Sequence, residues 1–163
     1  MPHMTGSSTT SFLEMTAVDR AARLEEIWSE YEQALLESGE SPESARANIE
    51  RNRRDLLGDD GNLREGHHFF ALREGNDLVG QLWISLTPPG AREAYIYDVV
   101  VLEQFRGRGW GREIMRRAES WARAAGAAHI GLNVFGNNTT ARRLYQSLGY
   151  AETAIRMRKS LDS

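Results

Sequence analysis

One ten-residue stretch constrains the fold of this chain more than any other feature. Residues 102–111 read L-E-Q-F-R-G-R-G-W-G, with glycine at every second position at the end. A Tyr-, Ile- and Val-rich segment typical of a buried strand precedes it, and a helical pattern follows. Glycine lets a ligand approach the backbone, and the first N–H groups of a helix have no partner within the helix. The stretch therefore predicts an anion pocket, suited to a diphosphate, between a strand and a helix.

Arginine side chains cluster around the same glycines. Arg106, Arg108 and Arg112 lie in or beside the loop, and Arg116 and Arg117 follow one turn later. Cations at this density repel one another unless an anion lies nearby, which agrees with an anion pocket. An ordinary strand–helix turn with a solvated arginine face is the alternative, and a Gly-x-Gly pattern by itself favours that alternative. Other nucleotide loops differ in spacing. A dinucleotide loop reads G-x-G-x-x-G, and a Walker loop requires a Lys after its glycines.

Composition narrows the classes of protein that the chain can belong to. Its 163 residues are 40% apolar, carry a net charge of −3 and include no Cys. The length suits one domain with one core. Disulfides, zinc–thiolate sites and thiol nucleophiles are excluded. No apolar run approaches the roughly 20 residues that span a bilayer, and the small net charge does not indicate a nucleic-acid partner. We expect a cytoplasmic protein without a metal, a membrane partner or a nucleic-acid partner.

Hydrophobic periodicity predicts an α+β fold with a mixed sheet. A helical arm comes first, then a strand meander, then a β-α-β-α-β segment. A flexible start is expected at 1–11. The predicted strands are 12–15, 68–73, 78–86, 93–102, 129–135 and 150–159, and the predicted helices are 19–37, 42–57, 108–125 and 139–148.

Two sequence blocks resemble one known family. Residues 104–109, Q-F-R-G-R-G, fit the Q/R-x-x-G-x-G/A signature of the GNAT N-acetyltransferases, whose loop holds the pyrophosphate of acetyl-coenzyme A (acetyl-CoA). Residues 138–150, N-T-T-A-R-R-L-Y-Q-S-L-G-Y, resemble that family's N-x-x-A-x-x-L-Y-x-x-x-G-F/Y. The two blocks stand in the family's order, separated by a predicted helix and strand. The resemblance covers about 69–158.

The resemblance implies a fold and a domain plan. The fold would be a mixed, mostly antiparallel sheet with a splayed parallel pair of strands and about four helices on both faces. Residues 12–163 would form a single domain. Its segment 12–66 would be a helical arm on the acceptor side, and 67–159 the acetyl-CoA-binding core.

The resemblance also implies roles for individual residues. A strand edge would pair with the pantetheine amides, and loop amides would hold the diphosphate. Tyr145 would lie near the sulfur and donate a hydrogen bond to the leaving thiolate. The implied acetyl-CoA-binding residues are Val99, Val100, Val101, Arg106, Gly107, Arg108, Gly109, Trp110, Gly111, Arg112, Asn138 and Tyr145.

The general base is the open part of the chemistry. An amine must lose a proton to attack a thioester, so a carboxylate or a water chain has to accept it. Some relatives carry a Glu where this chain has Asn133, which cannot accept a proton. Asp98 and Glu93 are the alternatives. Strand alternation turns Asp98 away from the side of Val99, but a β-bulge could redirect it; the other interpretation of Asp98 is a structural hydrogen-bond partner.

The acceptor is a primary amine in the leading interpretation, either of a small molecule or of a peptide. The rivals are a protein N-terminal or lysine acetyltransferase and a non-catalytic module that senses acyl-CoA. A homodimer is left open. His67 and His68 lack a third ligand at metal spacing, so they are assigned to a loop and a strand. Five aromatic side chains could line an acceptor pocket or belong to the core: Trp28, Tyr31, Trp83, Tyr95 and Tyr97.

Overall fold

The computed structural model describes residues 9–88 and 90–162. Its described residues form two compact units that divide between Asn133 and Val134. The prediction of a flexible start at 1–11 falls largely outside the described residues. Among the helices that the structure describes, none is long and apolar enough to cross a membrane.

The first unit is a five-stranded sheet flanked by helices. The strand order is β1-β2-β3-β4-β5, with antiparallel neighbours except for the parallel pair β4 and β5. This confirms the predicted α+β fold with a mixed sheet. The elements are β1 (Thr10–Glu14), α1 (Ala17–Glu37), α2 (Pro42–Leu56), β2 (His67–Glu74), β3 (Asp77–Ser85), β4 (Glu93–Val101), a 3-10 turn (Glu103–Phe105), α3 (Trp110–Ala124) and β5 (His129–Leu132).

Local sequence explains where the first two helices begin. The Thr16 side chain accepts a hydrogen bond from the Asp19 N–H at 3.2 Å, and Ser41 does the same for Ser44 at 3.1 Å. Each cap satisfies a helix N–H that has no partner within the helix. Pro42 at the first position of α2 suits the fixed φ of proline. The arm therefore consists of two separate helices.

Each face of the sheet is covered by a different helix. On one face Ile27 of α1 packs with Phe69 and Trp83 of the sheet. On the other face α3 packs against β3 and β4 and buries Ile114 and Met115 completely. Burying side chains of this size stabilises the fold by about 1.5–3 kcal/mol each. The sheet is thus covered from both sides, by α1 on one face and by α3 on the other.

Strand β4 contains a bulge at Tyr97. Trp83 of β3 lies opposite Asp98, whereas the next residue, Ile84, lies opposite Ile96. Tyr97 is therefore the extra residue, and it shifts the alternation of side chains by one position. The Tyr97 ring stacks on Trp83 at 4.6 Å and Asp98 contacts α1, so both consecutive side chains lie on the α1 face. The bulge redirects Asp98, as the sequence analysis allowed.

The parallel pair separates after four residues. Strand β5 pairs with Glu93–Ile96 of β4 and ends at Leu132, three residues before the predicted end. From Tyr97 to Val101 no described strand pairs with this edge of β4. Backbone groups on an unpaired edge can form hydrogen bonds with an extended ligand.

The second unit corrects one prediction. It contains α4 (Thr139–Ser147), but the expected strand at 150–159 is not formed. Its alternating side chains remain exposed, including Ile155 and Met157. A strand needs a neighbouring strand for its hydrogen bonds, and the described part of this unit offers none.

Candidate active site

The glycine loop, Gly107–Gly111, turns the chain from β4 into α3. Gly107 has a φ of +74° and Gly109 a φ of +84°, a region that side chains other than glycine rarely occupy. Gly109 also caps α3, since its carbonyl accepts the first helical hydrogen bond from the Glu113 N–H at 3.1 Å. A Cβ at either position would meet no protein atom within 4 Å. Glycine is needed here for conformation and leaves open space beside the backbone.

The loop presents unsatisfied backbone donors. The N–H groups of Gly107, Arg108, Gly109, Trp110 and Gly111 donate to no acceptor among the described residues. Successive N–H groups at a helix N-terminus attract an anion, and the helix dipole adds to that attraction. A diphosphate would satisfy them together. The loop therefore fits the pyrophosphate of acetyl-CoA by its backbone.

The loop arginines already have contacts with the protein. Arg106 Nε donates to the Val101 carbonyl at 3.0 Å, and the Arg108 guanidinium lies 5.9 Å from the centre of the Phe105 ring. Arg117 pairs with Glu113 at 2.8 Å. Arg112 lies in the first turn of α3. The arginines thus add positive potential around the loop, while the backbone supplies the directed donors.

The strand edge predicted to pair with pantetheine has no described strand beside it, but not all of its backbone groups are available. Val99, Val100 and Val101 pair with Leu82, Gln81 and Gly80 of β3 and leave their other edge without a described strand. The Val101 carbonyl accepts the Arg106 hydrogen bond. Val99 is therefore the best placed of the three to pair with an extended ligand, because the Val100 carbonyl faces β3, where a Cβ on Gly80 would lie 2.5 Å from it.

Asp98 belongs to a cluster of one arginine and three carboxylates. The carboxylate cluster is Arg23, Glu26, Glu30 and Asp98. The Arg23 side chain is 4% exposed and that of Asp98 16%, whereas Glu26 and Glu30 are more than half exposed. Arg23 Nη2 lies 3.0 Å from Asp98 Oδ2. No described residue donates to the second oxygen, Oδ1, which is not fully buried.

Burial and charge act in opposite directions on these two groups. Burial raises the pKa of Asp98 above its ordinary value, and the Arg23 guanidinium offsets part of that rise. Burial alone would lower the pKa of Arg23, but its hydrogen bonds to Glu30 and Asp98 outweigh burial and raise it. Arg23 is therefore a permanent cation. Asp98 is a carboxyl group whose pKa lies closer to neutrality than that of an ordinary Asp, which suits a general base.

Aromatic side chains continue the same face of the sheet. Trp83 stacks on Tyr97, and Tyr95 contacts Tyr97 edge-on at 4.8 Å between ring centres. Trp28 of α1 meets Trp83 edge-on at 6.3 Å. Trp28 and Trp83 are buried and form the core of this face, whereas Tyr97 is 37% exposed. Trp28 and Trp83 thus belong to the core, whereas Tyr97 reaches the surface. Tyr95 and Tyr97 lie on the same strand as Asp98.

His67 is a neutral member of this aromatic group. Trp83 Nε1 donates to His67 Nδ1 at 3.0 Å, so the ring proton of a neutral His67 lies on Nε2. Burial, with a smaller contribution from His68, lowers the pKa of His67 to about 4. Among the described residues no group of three His, Asp or Glu side chains could hold a metal ion. His67 serves the α1 face as a hydrogen-bonding partner of Trp83.

Glu93, the other candidate for the general base, lies at the start of β4, and Asn133, where some relatives carry a Glu, follows β5. Glu93 lies five residues before Asp98 in the chain. It is exposed, and it stands opposite His129 where β4 pairs with β5. Its carboxylate lies beside Gly131 of β5, where a Cβ would come within 3.0 Å of Glu93 Oε1. Of the two carboxylates, Asp98 alone is held by a buried partner.

Asn138 and Tyr145 lie in the second unit. The Asn138 side chain caps α4, because its Oδ1 accepts the Ala141 N–H at 3.2 Å. Tyr145 is buried on α4, and its ring lies 5.9 Å from that of Tyr150. Asn138 therefore has a structural role that the sequence analysis did not assign to it, and its Nδ2 donor is not used by the cap.

The sequence analysis missed Arg23. A faint signal was available, because Arg23 lies four residues before Ile27 on the buried stripe of a helix that is otherwise charged only on its outer face. Its partner Asp98 lies 75 positions away.

Comparison with known proteins agrees with this geometry. Residues 11–150 match the family model described as Acetyltransferase (GNAT) family. The chain is 38% identical over 97 residues to the Uncharacterized N-acetyltransferase YycN of Bacillus subtilis, covering 58% of this chain and 62% of that protein. The crystal structure of YycN superposes with a TM-score of 0.84 at 30% identity, covering 95% of this chain and all of that chain.

Two further relatives extend the comparison. The Uncharacterized N-acetyltransferase YdgE of Bacillus subtilis is 36% identical over 127 residues, covering 77% of this chain and 76% of that protein. Streptothricin acetyltransferase of Streptomyces lavendulae is 34% identical over 94 residues, covering 58% of this chain and 49% of that protein. The family model spans the sheet, the glycine loop and α4, and on that match the chain belongs to the GNAT family of acetyl-CoA-dependent N-acetyltransferases.

Proposed function

We propose that this enzyme acetylates the primary amine of a small molecule, with Asp98 as the general base. The observation that carries the proposal is the position of Asp98. The bulge at Tyr97 brings it to the α1 face, within the stretch of β4 whose other edge pairs with no described strand. Its Oδ1 is available to accept a proton, directly or through a water molecule. The acetyl donor is acetyl-CoA, as in the GNAT family, and the acceptor amine binds on the α1 face.

The charge of the α1 face supports an amine acceptor. Three carboxylates share one arginine, so the carboxylate cluster carries net negative charge, and Glu26 and Glu30 are largely exposed. Such a surface attracts an ammonium group. Tyr97 adds an exposed aromatic ring beside it, a partner that cations favour. The name of the relative from Streptomyces lavendulae, a streptothricin acetyltransferase, supports a small molecule over a protein.

The proposed reaction forms an amide bond and breaks the thioester bond. The substrate nitrogen gives a proton to Asp98 and attacks the acetyl carbonyl carbon. A backbone N–H on the unpaired edge of β4 would donate to the oxygen as negative charge develops there, which is worth about 3 kcal/mol in comparable sites. The coenzyme A thiolate would leave with a hydrogen bond from the Tyr145 hydroxyl and take up the second proton of the attacking nitrogen, so that the products are the amide and the free thiol. Asn138 would contact the pantetheine arm through its free amide.

A screen for release of free thiol tests the acceptor class. Small primary amines, diamines and peptides with free N-termini or lysines are incubated with acetyl-CoA, and products are identified by mass spectrometry. We expect turnover with small amines and little with peptides. Turnover confined to peptides would contradict the small-molecule proposal, and acetyl-CoA binding without turnover across the panel would favour the sensing module.

The Asp98→Asn variant tests the base. We expect kcat/KM at the optimum to fall by roughly a hundredfold, within the usual contribution of a general base, and the acidic limb that reports protonation of Asp98 to disappear. Glu93→Gln is the matched control at the other end of β4 and should keep the wild-type pH profile. If Asp98→Asn lowers the melting temperature and leaves the profile unchanged, Asp98 is structural.

A further inference from the structure

Every guanidinium donor of Arg23 is used within the carboxylate cluster. Nε and Nη2 donate to Asp98 Oδ2 at 3.3 and 3.0 Å. Nη1 and Nη2 donate to the two oxygens of Glu30 at 2.8 and 3.0 Å, and Nη1 also donates to Glu26 at 3.1 Å. Two parallel bonds to Glu30 fix the plane of the guanidinium. Arg23 is therefore held in one orientation from the α1 side.

The fixed guanidinium in turn orients the carboxyl group of Asp98. Both hydrogen bonds from Arg23 reach the same oxygen, Oδ2, so the carboxyl group cannot rotate without losing two charge-assisted bonds. The other oxygen, Oδ1, is left without a donor among the described residues. A base needs one oxygen fixed and the other available, because a rotating carboxyl group presents its lone pairs to the substrate for only part of the time.

We propose that Arg23 is a positioning residue for the acetyl-transfer reaction: it fixes the Asp98 carboxylate through Oδ2 and leaves Oδ1 for the proton of the substrate amine. Glu30 acts one step further away by clamping the guanidinium. The inference rests on the proposed function, since it assumes that Asp98 is the base. The alternative is that Arg23 only attaches α1 to the sheet.

The charges around Asp98 give the expected direction of change. Arg23 lowers the pKa of Asp98, whereas burial, Glu30 and Glu26 raise it. From the sheet, the titratable side chains on the same face are His67 of β2 and Tyr95 and Tyr97 of β4, and His67 is neutral because its pKa is about 4. Removal of the Arg23 charge therefore leaves only influences that raise the pKa of Asp98. The acidic limb of the pH–rate profile should move to higher pH.

The test compares pH profiles of kcat/KM for the wild type, Asp98→Asn, Arg23→Gln and Arg23→Lys, using the best small amine from the screen. In Arg23→Gln the midpoint of the acidic limb should rise by about one pH unit or more, the usual influence of an adjacent opposite charge. Arg23→Lys keeps the charge but not the planar fork, so the midpoint should stay and kcat should fall by about tenfold. Arg53→Gln removes the ion pair of Arg53 with Glu25, which joins α2 to α1, and should leave the midpoint unchanged.

Two further measurements make the result decisive. The double variant Arg23→Gln/Asp98→Asn should be no less active than Asp98→Asn alone, because Arg23 acts through Asp98. An NMR titration of the Asp98 carboxyl carbon needs no acceptor, and its midpoint should rise in Arg23→Gln.

The outcomes separate the two proposals. If Asp98→Asn keeps the wild-type profile, the general-base proposal fails, and the role of Arg23 fails with it. If Asp98→Asn loses the acidic limb but Arg23→Gln keeps its midpoint in both the profile and the titration, only the positioning role of Arg23 is overturned. If Arg23→Gln does not fold, a wild-type kcat in Arg23→Lys overturns it equally.

Discussion

The glycine loop offers backbone N–H groups from five neighbouring residues, whereas the carboxylate cluster joins side chains that lie 75 positions apart in the chain. The donors of the loop have no described acceptor, while every donor of Arg23 has one. Under the proposed function, a bound ligand would satisfy the donors of the loop, whereas the donors of Arg23 are satisfied within the protein. Substitutions in the loop should change ligand affinity, and substitutions in the cluster should change rate, pH dependence and stability.

The largest expected effect tests the loop. Gly109→Val introduces a branched side chain where the loop faces its anion, and we expect acetyl-CoA affinity, expected to be micromolar, to fall at least a hundredfold by calorimetry. The matched control is Gly75→Val in the turn between β2 and β3. Both glycines have positive φ and open space around a Cβ, so both variants carry similar backbone strain, about 1–2 kcal/mol. Equal affinity in Gly109→Val and wild type would contradict the assignment of the loop.

The next effect concerns Tyr145, which lies outside both regions. If its hydroxyl serves the leaving sulfur, Tyr145→Phe should lower kcat by roughly ten- to a hundredfold and leave acetyl-CoA affinity nearly unchanged, because the interaction strengthens as charge develops. Tyr150→Phe removes the hydroxyl of the neighbouring ring and serves as the control. Weaker acetyl-CoA binding with an unchanged kcat would assign Tyr145 to binding.

The smallest expected effect is a pH-dependent change in the free energy of unfolding that arises from His67 on the α1 face. The pKa of His67 is about 4 in the folded protein and about 6.5 when unfolded, so folding favours the neutral ring. The resulting stability is present above pH 6.5 and is lost as the pH falls towards 4. After allowance for partial exposure, we expect a loss of roughly 2 kcal/mol in the free energy of unfolding from this group.

Urea unfolding at pH 7.5 and 4.5 measures this loss. His67→Gln can still accept the Trp83 N–H but does not titrate, so its stability should change less between the two pH values. His129→Gln, at the exposed start of β5, is the control and should behave as the wild type. A wild-type pH dependence in His67→Gln would show that the acid sensitivity arises elsewhere.

The sequence by itself determined the features that depend on neighbouring residues. The glycine loop, the caps at Thr16 and Ser41 and the order of helices and strands all follow from local conformational preferences and from hydrophobic spacing. The two family motifs were readable for the same reason, since each is one continuous segment. Element ends differed by a few residues, most at β5.

Only the tertiary structure decided the features that depend on distant residues. The bulge at Tyr97 is set by the pairing of β3 with β4, and without it Asp98 would face α3. The partner of Asp98, Arg23, lies on a helix that packing brings to that face. The strand expected at 150–159 has the right alternation but no neighbouring strand in its own unit. Alternation shows which faces a segment can present, whereas pairing and packing require surfaces that only the folded chain supplies.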